Sequence, residues 1–307
     1  MPLVSVVVIF LNAGGFLEEA VQSIRGQTLS DWELILVDDG STDRSTSIAR
    51  SLATEDDRIR YIDHPGHQNR GMSASRNFGV AHTTAQYISF LDADDVWEPE
   101  TLAERVNILE NMPDVALVCG ALRYWHSWDA ASTMEDRIVL TGGLAERRLD
   151  PPEAALALYP LGRGATAGVD MMVRRSAYEA VGGFEERFRG RYEDQAFLIK
   201  IFMRYSIYVS SRPWYRYRQH DASCSGQLSP SDWSTRRRIF LDYLQELEDS
   251  GRIDDRRVSA AVRRARRALP YQQLASRLFY RLPPRVRWYV HGLRWPTSRA
   301  PATHEAK

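Results

Sequence analysis

At 307 residues, with 44% apolar and 26% charged side chains and no net charge, the chain holds enough hydrophobic material for one large core plus an appendage, so disorder is not the expected state. Its two cysteines, Cys119 and Cys224, lack the spacing of metal ligands and read as reduced thiols suited to a cytoplasm. The opening Met1-Pro2-Leu3-Val4-Ser5 has no basic n-region, and no apolar run approaches the roughly 18 residues of a membrane span, so neither export nor threading is expected.

Leu3 to Leu11 is strand-like, and Phe16, Leu17, Ala20, Val21 and Ile24 then recur at helical spacing before a second strand at Trp32 to Val37. Ser41, Thr42 and Asp43 are caps for a helix through Leu52, Arg58 to Ile62 is a strand, and residues 72 to 83 read as helix. Tyr87 to Leu91 is a strand, Leu102, Val106 and Leu109 mark a helix after Pro99, and Val115 to Cys119 is another buried strand. This alternation predicts an α/β fold with a mostly parallel sheet and helices on both faces. From about 120 to 170 the pattern loosens, as in segments that carry binding loops. Phe197, Leu198, Ile201, Phe202 and Tyr205 restore a helix, and Ile207 to Val209 reads as an edge strand. Beyond Pro230 the reading is helical, with a stripe of Phe240, Tyr243, Leu244 and Leu247 and breaks at Pro270 and Pro283-Pro284.

The neutral total hides an asymmetry. Residues 234 to 300 hold 16 arginines against 6 acids, whereas residues 1 to 233 carry 23 basic and 33 acidic side chains. Phe279, Tyr280, Trp288, Tyr289 and Trp295 interleave with Arg281, Arg285, Arg287 and Arg294. Two readings stand: an interfacial helix at anionic headgroups, giving peripheral contact with the inner face of a membrane, or a helical cap packed on protein.

Two acidic clusters, Asp38-Asp39-Gly40-Ser41 and Asp92-Ala93-Asp94-Asp95, close apolar strands, where open α/β sheets place ligands. Carboxylates gathered there relieve their repulsion by binding a cation, and hard oxygen ligands suit Mg2+ or Mn2+, so the clusters suggest a metal-bridged nucleotide site. The bland alternative for the first is a turn with a helix cap. Between them, Asn69 to Asn77 enters a helix whose backbone N–H groups, with Arg76, offer a diphosphate site or an ordinary surface ion pair. Glu193-Asp194 either complements a helix dipole or supplies a general base, and His220 is either structural or a partner of metal or phosphate.

Val4-Ser5-Val6-Val7-Val8 leading to Asn12, Gln27-Thr28, Glu33 through Asp43, Ser75-Arg76-Asn77, Phe90 through Asp95 and Gly182-Gly183-Phe184 before Glu193-Asp194 occur in an order that resembles the family 2 nucleotide-sugar glycosyltransferases. The likeness covers roughly residues 3 to 225. It implies a GT-A fold, Rossmann-like, and an inverting mechanism. It also implies that Phe10, Asn12 and Asp38 hold base and ribose, that Arg76 approaches base or diphosphate, and that Asp92 helps on the ribose side. Asp94 becomes a metal ligand, His220 reaches metal or diphosphate, and Asp194 is the catalytic base. Trp125, Trp128, Arg163 and Glu193 are candidates for the acceptor, since sugar faces stack on indoles. The organisation expected is a glycosyltransferase domain over 1–228, with a nucleotide-sugar half to about 119 and an acceptor half over 120–228, then a basic helical region over 229–307.

The implied partners are a nucleoside-diphosphate sugar, with a UDP-sugar favoured, and a glycan or lipid-linked acceptor, but no nucleic acid. Ile9-Phe10-Leu11-Asn12 stands where many relatives have Pro-x-Tyr-Asn, leaving nucleotide identity open. His291-Gly292-Leu293-Arg294-Trp295 lacks the glutamine of the processive Gln-x-x-Arg-Trp motif, so transfer of a single sugar is expected. The rival reading is a non-catalytic subunit of the same fold that binds glycan, membrane or a partner enzyme.

Overall fold

The computed structural model describes residues 1–139, 142–162, 164, 170–220, 223 and 230–280, with backbone alone at 142, 230, 231, 233 and 271–280. The chain begins with β1 (Val4–Phe10), buried along its whole length, and α1 (Leu17–Arg25). It continues through β2 (Trp32–Asp38), α2 (Ser45–Glu55), β3 (Ile59–Asp63), α3 (Met72–Ala81) and β4 (Tyr87–Asp92). β5 (Val96–Trp97), α4 (Thr101–Asn111), β6 (Val115–Cys119), β7 (Leu122–Trp125), β8 (Arg137–Val139), β9 (Arg147–Leu149) and α5 (Glu153–Ala157) follow. The second half adds β10 (Met171–Arg174), α6 (Arg175–Ala180), α7 (Glu193–Phe202), β11 (Ser206–Val209), β12 (Tyr215–Arg218), α8 (Pro230–Asp249) and α9 (Arg256–Tyr280).

The main sheet has the order β3-β2-β1-β4-β10-β6-β11-β9. Only β10 and β9 run antiparallel to their neighbours. A small sheet, β5-β12-β7-β8, stands beside it. Alternate residues of a strand face opposite sides, and β1 divides accordingly. Val4, Val6, Val8 and Phe10 pack with the inner faces of α1, α2 and α4, while Val7 and Ile9 pack on the side of α3, α7, α8 and α9. Close contact on that second side depends on Gly79, because a Cβ there would lie 2.5 Å from Val7 Cγ1 and 2.9 Å from Val37 Cγ2.

Three local expectations change. α2 starts at Ser45, whose N–H donates to Asp43 Oδ1 at 2.9 Å, so the chain travels one turn further before it coils. β11 lies inside the sheet, since β9, drawn from the irregular stretch, pairs along its outer side. α9 passes through Pro270 unbroken, and burial of Val258, Ala261, Val262 and Leu269 offsets the hydrogen bond that proline removes. Arg163, Cys224, Pro283-Pro284 and the tail residues from Arg281 onward lie outside the described residues, as do the side chains of Phe279 and Tyr280. Among the described residues no helix is long and apolar enough to cross a membrane.

A buried ion pair fastens α4 to the start of β10. Arg105 is fully enclosed and pairs with Asp170, Trp97 Nε1 donates to the same carboxylate oxygen at 3.1 Å, and the guanidinium lies 5.0 Å from the Trp214 ring. Removing one partner leaves an uncompensated buried charge, so Asp170→Ala is expected to cost about 3 to 5 kcal/mol in urea unfolding. The double variant Arg105→Met with Asp170→Leu is expected to recover most of that loss.

Candidate active site

Parallel pairing sets Phe10 opposite Asp38 and Ile9 opposite Asp92, so the loops after β1, β2 and β4 leave the sheet at one edge. The first two loops are tied to each other. Asn12, held at φ +54°, accepts at Oδ1 from the Thr42 N–H at 2.8 Å, and its own N–H donates to Ser41 Oγ at 3.0 Å. Asp38 is fully buried and accepts from the Ser41 N–H at 2.7 Å and the Thr46 hydroxyl at 2.5 Å. The Phe10 ring lies in the apolar layer with α1. Asp39 accepts from the N–H groups of Arg70 at 2.7 Å and Gly71 at 3.0 Å, so a side-chain carboxylate already occupies the start of α3 where a diphosphate was expected.

Arg76 is the centre of the site. It is 1% exposed, bonds Asp92 Oδ1 at 2.8 Å, forms an ion pair with Glu193 Oε2 at 2.6 Å and lies 5.4 Å from the Phe184 ring centre. The guanidinium is therefore enclosed by protein carboxylates, and Glu193, a candidate for the acceptor, turns inward to it at 4% exposure. Burial pushes the Glu193 carboxyl up to about 8, with Arg76 opposing and the charges of Asp194 and Asp92 adding to the rise. Asp92 is likewise raised by burial, against Arg76 and with help from Asp94 and Asp194. Asp194, half-buried at the first turn of α7, accepts from the Gln195 N–H at 2.8 Å. The neighbouring Asn77 holds the Gly182-Gly183-Phe184 turn, accepting from the Phe184 N–H at 2.8 Å and donating to its carbonyl at 2.9 Å. Phe184 then stacks on Phe197 of α7 at 4.6 Å.

Asp94 lies on the side of the small sheet. His220 Nε2 lies 3.0 Å from its Oδ2, and the Arg218 Nε donates to its backbone carbonyl at 2.6 Å. Arg218 reaches Glu19 of α1 at 2.6 Å and lies 4.4 Å from Trp125, 4.9 Å from Phe16 and 5.1 Å from Trp128. The two candidate tryptophans are thus brought beside Asp94 and His220. Asp95 is buried and anchors β12, accepting from the Arg218 N–H at 2.7 Å and from the Tyr215 hydroxyl; burial, then Asp94 and Asp92, raises its carboxyl well above the usual range.

Asp95, part of the acidic cluster expected at a cation, instead holds β12, and the sequence assigned no role to Arg218 or Tyr215. The usable signal was the alternation Tyr215-Arg216-Tyr217-Arg218, which places the two tyrosines on one face of a strand, where they stack at 6.1 Å, and the arginines on the other.

A parallel sheet with acidic loops at its strand ends and a second small sheet closing one side is the GT-A arrangement, and the sequence model of glycosyl transferase family 2 matches residues 5–182. The chain belongs to glycosyl transferase family 2. It is 26% identical to an uncharacterized glycosyltransferase of Rickettsia typhi across 72% of this chain and 65% of that protein. It is 48% identical to the uncharacterized glycosyltransferase EpsJ of Bacillus subtilis across 31% of this chain and 27% of that one. The chain thus spans less than two thirds of the length of either relative. Similar solved structures include S. aureus TarS in complex with UDP-GlcNAc, with a TM-score of 0.60 and 17% identity over 79% of this chain and 66% of that one. A mannosyltransferase from Pyrobaculum calidifontis in complex with GDP-Man and Mn2+ has a TM-score of 0.58 and 18% identity over 95% and 79% of the two chains.

The raised Glu193 carboxyl gives stability a pH dependence. Its folded value of about 8 lies above the ordinary 4.5, so the folded state binds the extra proton between them and loses stability as pH rises through that window. Urea midpoints measured from pH 5 to 8.5 are expected to fall for the native protein and to fall less steeply for Glu193→Gln, since the raised carboxyls of Asp92 and Asp95 remain.

Proposed function

We propose that the protein moves a single sugar from a nucleoside-diphosphate sugar to an acceptor hydroxyl by direct displacement with inversion, in the synthesis of a cell-surface glycan or glycoconjugate. The observation that carries this reading is that Asp92 at the end of β4 lies within electrostatic reach of both Asp94 and Asp194, with Asp94 against His220. Asp194 is the base: its half-buried carboxylate takes the acceptor proton as the oxygen attacks the anomeric carbon, and the nucleoside diphosphate leaves from the opposite face. No covalent glycosyl-enzyme is needed. Phe10, Asn12, Asp38 and Asp92 mark the side where base and ribose are placed. A UDP-sugar is the favoured donor, the class bound by TarS, while a glycan or lipid-linked acceptor meets Trp125 and Trp128.

The donor chemistry suits a divalent cation. Asp94 keeps 28% of its side chain exposed, beside an imidazole nitrogen. Among the described residues no group of three or more His, Cys, Asp or Glu is assembled for a metal. Asp94 and His220 would hold Mn2+ or Mg2+, which would offset the negative charge growing on the leaving diphosphate. The arginine-rich C-terminal region gives a second contact, with an anionic membrane surface near a lipid-linked acceptor.

Asp194→Asn is expected to lower transfer at least 100-fold while metal-dependent UDP binding stays within about twofold of the native protein. The assay is diphosphate release from a panel of nucleotide sugars with glycan and lipid-linked acceptors, paired with calorimetry. Unchanged turnover removes the base assignment. Asp94→Asn and chelation are both expected to weaken donor binding at least tenfold, and metal-independent binding defeats the cation assignment.

A further inference from the structure

We propose that Tyr192 and α8 form a clamp that positions Asp194, making the C-terminal helices part of the working site; this rests on the reading of Asp194 as the base. Tyr192 immediately precedes α7 and its Glu193-Asp194 pair, and it has φ +72° and ψ +5°. That left-handed conformation suits glycine or asparagine and is rare for a bulky side chain, so it persists only where surrounding contacts impose it.

The contacts are present and come from Tyr159 and α8. The Tyr192 ring is 1% exposed and stacks with Phe240 of α8, 4.9 Å away and 16° from parallel, and with Tyr159, 6.2 Å away and 18° from parallel. Its hydroxyl lies 2.7 Å from that of Tyr159, and Arg237 Nη1 of α8 donates to it at 3.4 Å. The approach to Tyr192 rests on the same helix. Phe188 meets the rings of Tyr243 at 5.4 Å and Phe240 at 6.4 Å, and Arg187 bonds Glu246 at 2.6 Å.

The entrance of α7 is therefore restrained twice. Glu193 is drawn forward to Arg76, and Tyr192 is held from behind by α8. Loss of the ring stack frees the Tyr192 backbone to return to an ordinary φ, which rotates the first turn of α7 and carries the Asp194 carboxylate with it. Tyr192 and Phe240 are positioning residues, since they reach the reaction only through Asp194.

The test uses full-length Tyr192→Gly, Phe240→Leu and Tyr192→Phe, with amide hydrogen exchange over residues 193–197 and steady-state kinetics. Tyr192→Gly fits the left-handed backbone but loses the ring; Tyr192→Phe keeps the ring and loses the hydroxyl. Tyr192→Gly and Phe240→Leu are expected to raise exchange at 193–197 about tenfold and to lower kcat about tenfold or more, with donor KM within twofold. Tyr192→Phe is expected to fall between these and the native protein. Native exchange at 193–197 in both ring variants overturns the clamp, and so does a rise spread evenly along the chain. If the native protein turns over no donor in the panel, the proposed function fails, while the exchange measurement still decides the clamp.

Discussion

A guanidinium enclosed by carboxylates is the constraint from which the rest of the site follows. Asp92, Asp94, Glu193 and Asp194 are close enough for their charges to act on one another, and without a counter-charge their strand and helix ends would separate. Arg76 answers with a single cation that touches Asp92 at the end of β4 and Glu193 at the start of α7. Asp94 and Asp194 are left on either side, unbound by that cation. The internal pair thus does more than neutralise charge: it ties the end of β4 to the start of α7 through Asp92 and Glu193 and leaves the half-buried Asp94 and Asp194 outside its reach.

One turn of α3 distributes this order in three directions. Ser75 lies 2.9 Å from His64 Nε2, Arg76 points into the carboxylates, and Asn77 secures the Phe184 turn that stacks on α7. On the far side Asp95 and Arg218 perform the matching task for the small sheet, bringing Trp125, Trp128 and His220 over Asp94. Asp94 and Asp194 are therefore placed between two polar clusters. The Arg76 cluster is worth more to geometry than to net stability, because desolvation cancels much of the attraction within a buried ion pair.

α8 and α9 share the apolar layer of α3 and α7, through Phe240, Leu244, Leu247, Val258 and Val262. A basic, helical tail suggests an appendage when read as sequence, yet its first helix supports the residue next to Asp194. The described part of the tail is a cap on the sheet. Its arginines also find local partners, with Arg263 on Glu248 and Arg266 on Asp242.

The alternation of buried strands and amphipathic helices up to Cys119 was legible because period 2 and period 3.6 are local properties of the chain, and the acidic endings of β2 and β4 located the crevice for the same reason. The short strands between 120 and 150, the interior place of β11 and the passage of α9 through Pro270 were not, since each depends on a neighbour supplied from elsewhere. Site roles divide along the same line. Residue type and order marked Arg76, Asp92, Asp94, Asp194 and His220 as candidates, but only the packed structure decided that Arg76 meets Asp92 and Glu193, that Asp38 and Asp39 are spent on holding loops, and that Tyr192 joins α7 to α8. A sequence carries the charge and period of every side chain, whereas the partner that a buried charge or ring meets is set by segments separated by tens to more than a hundred residues.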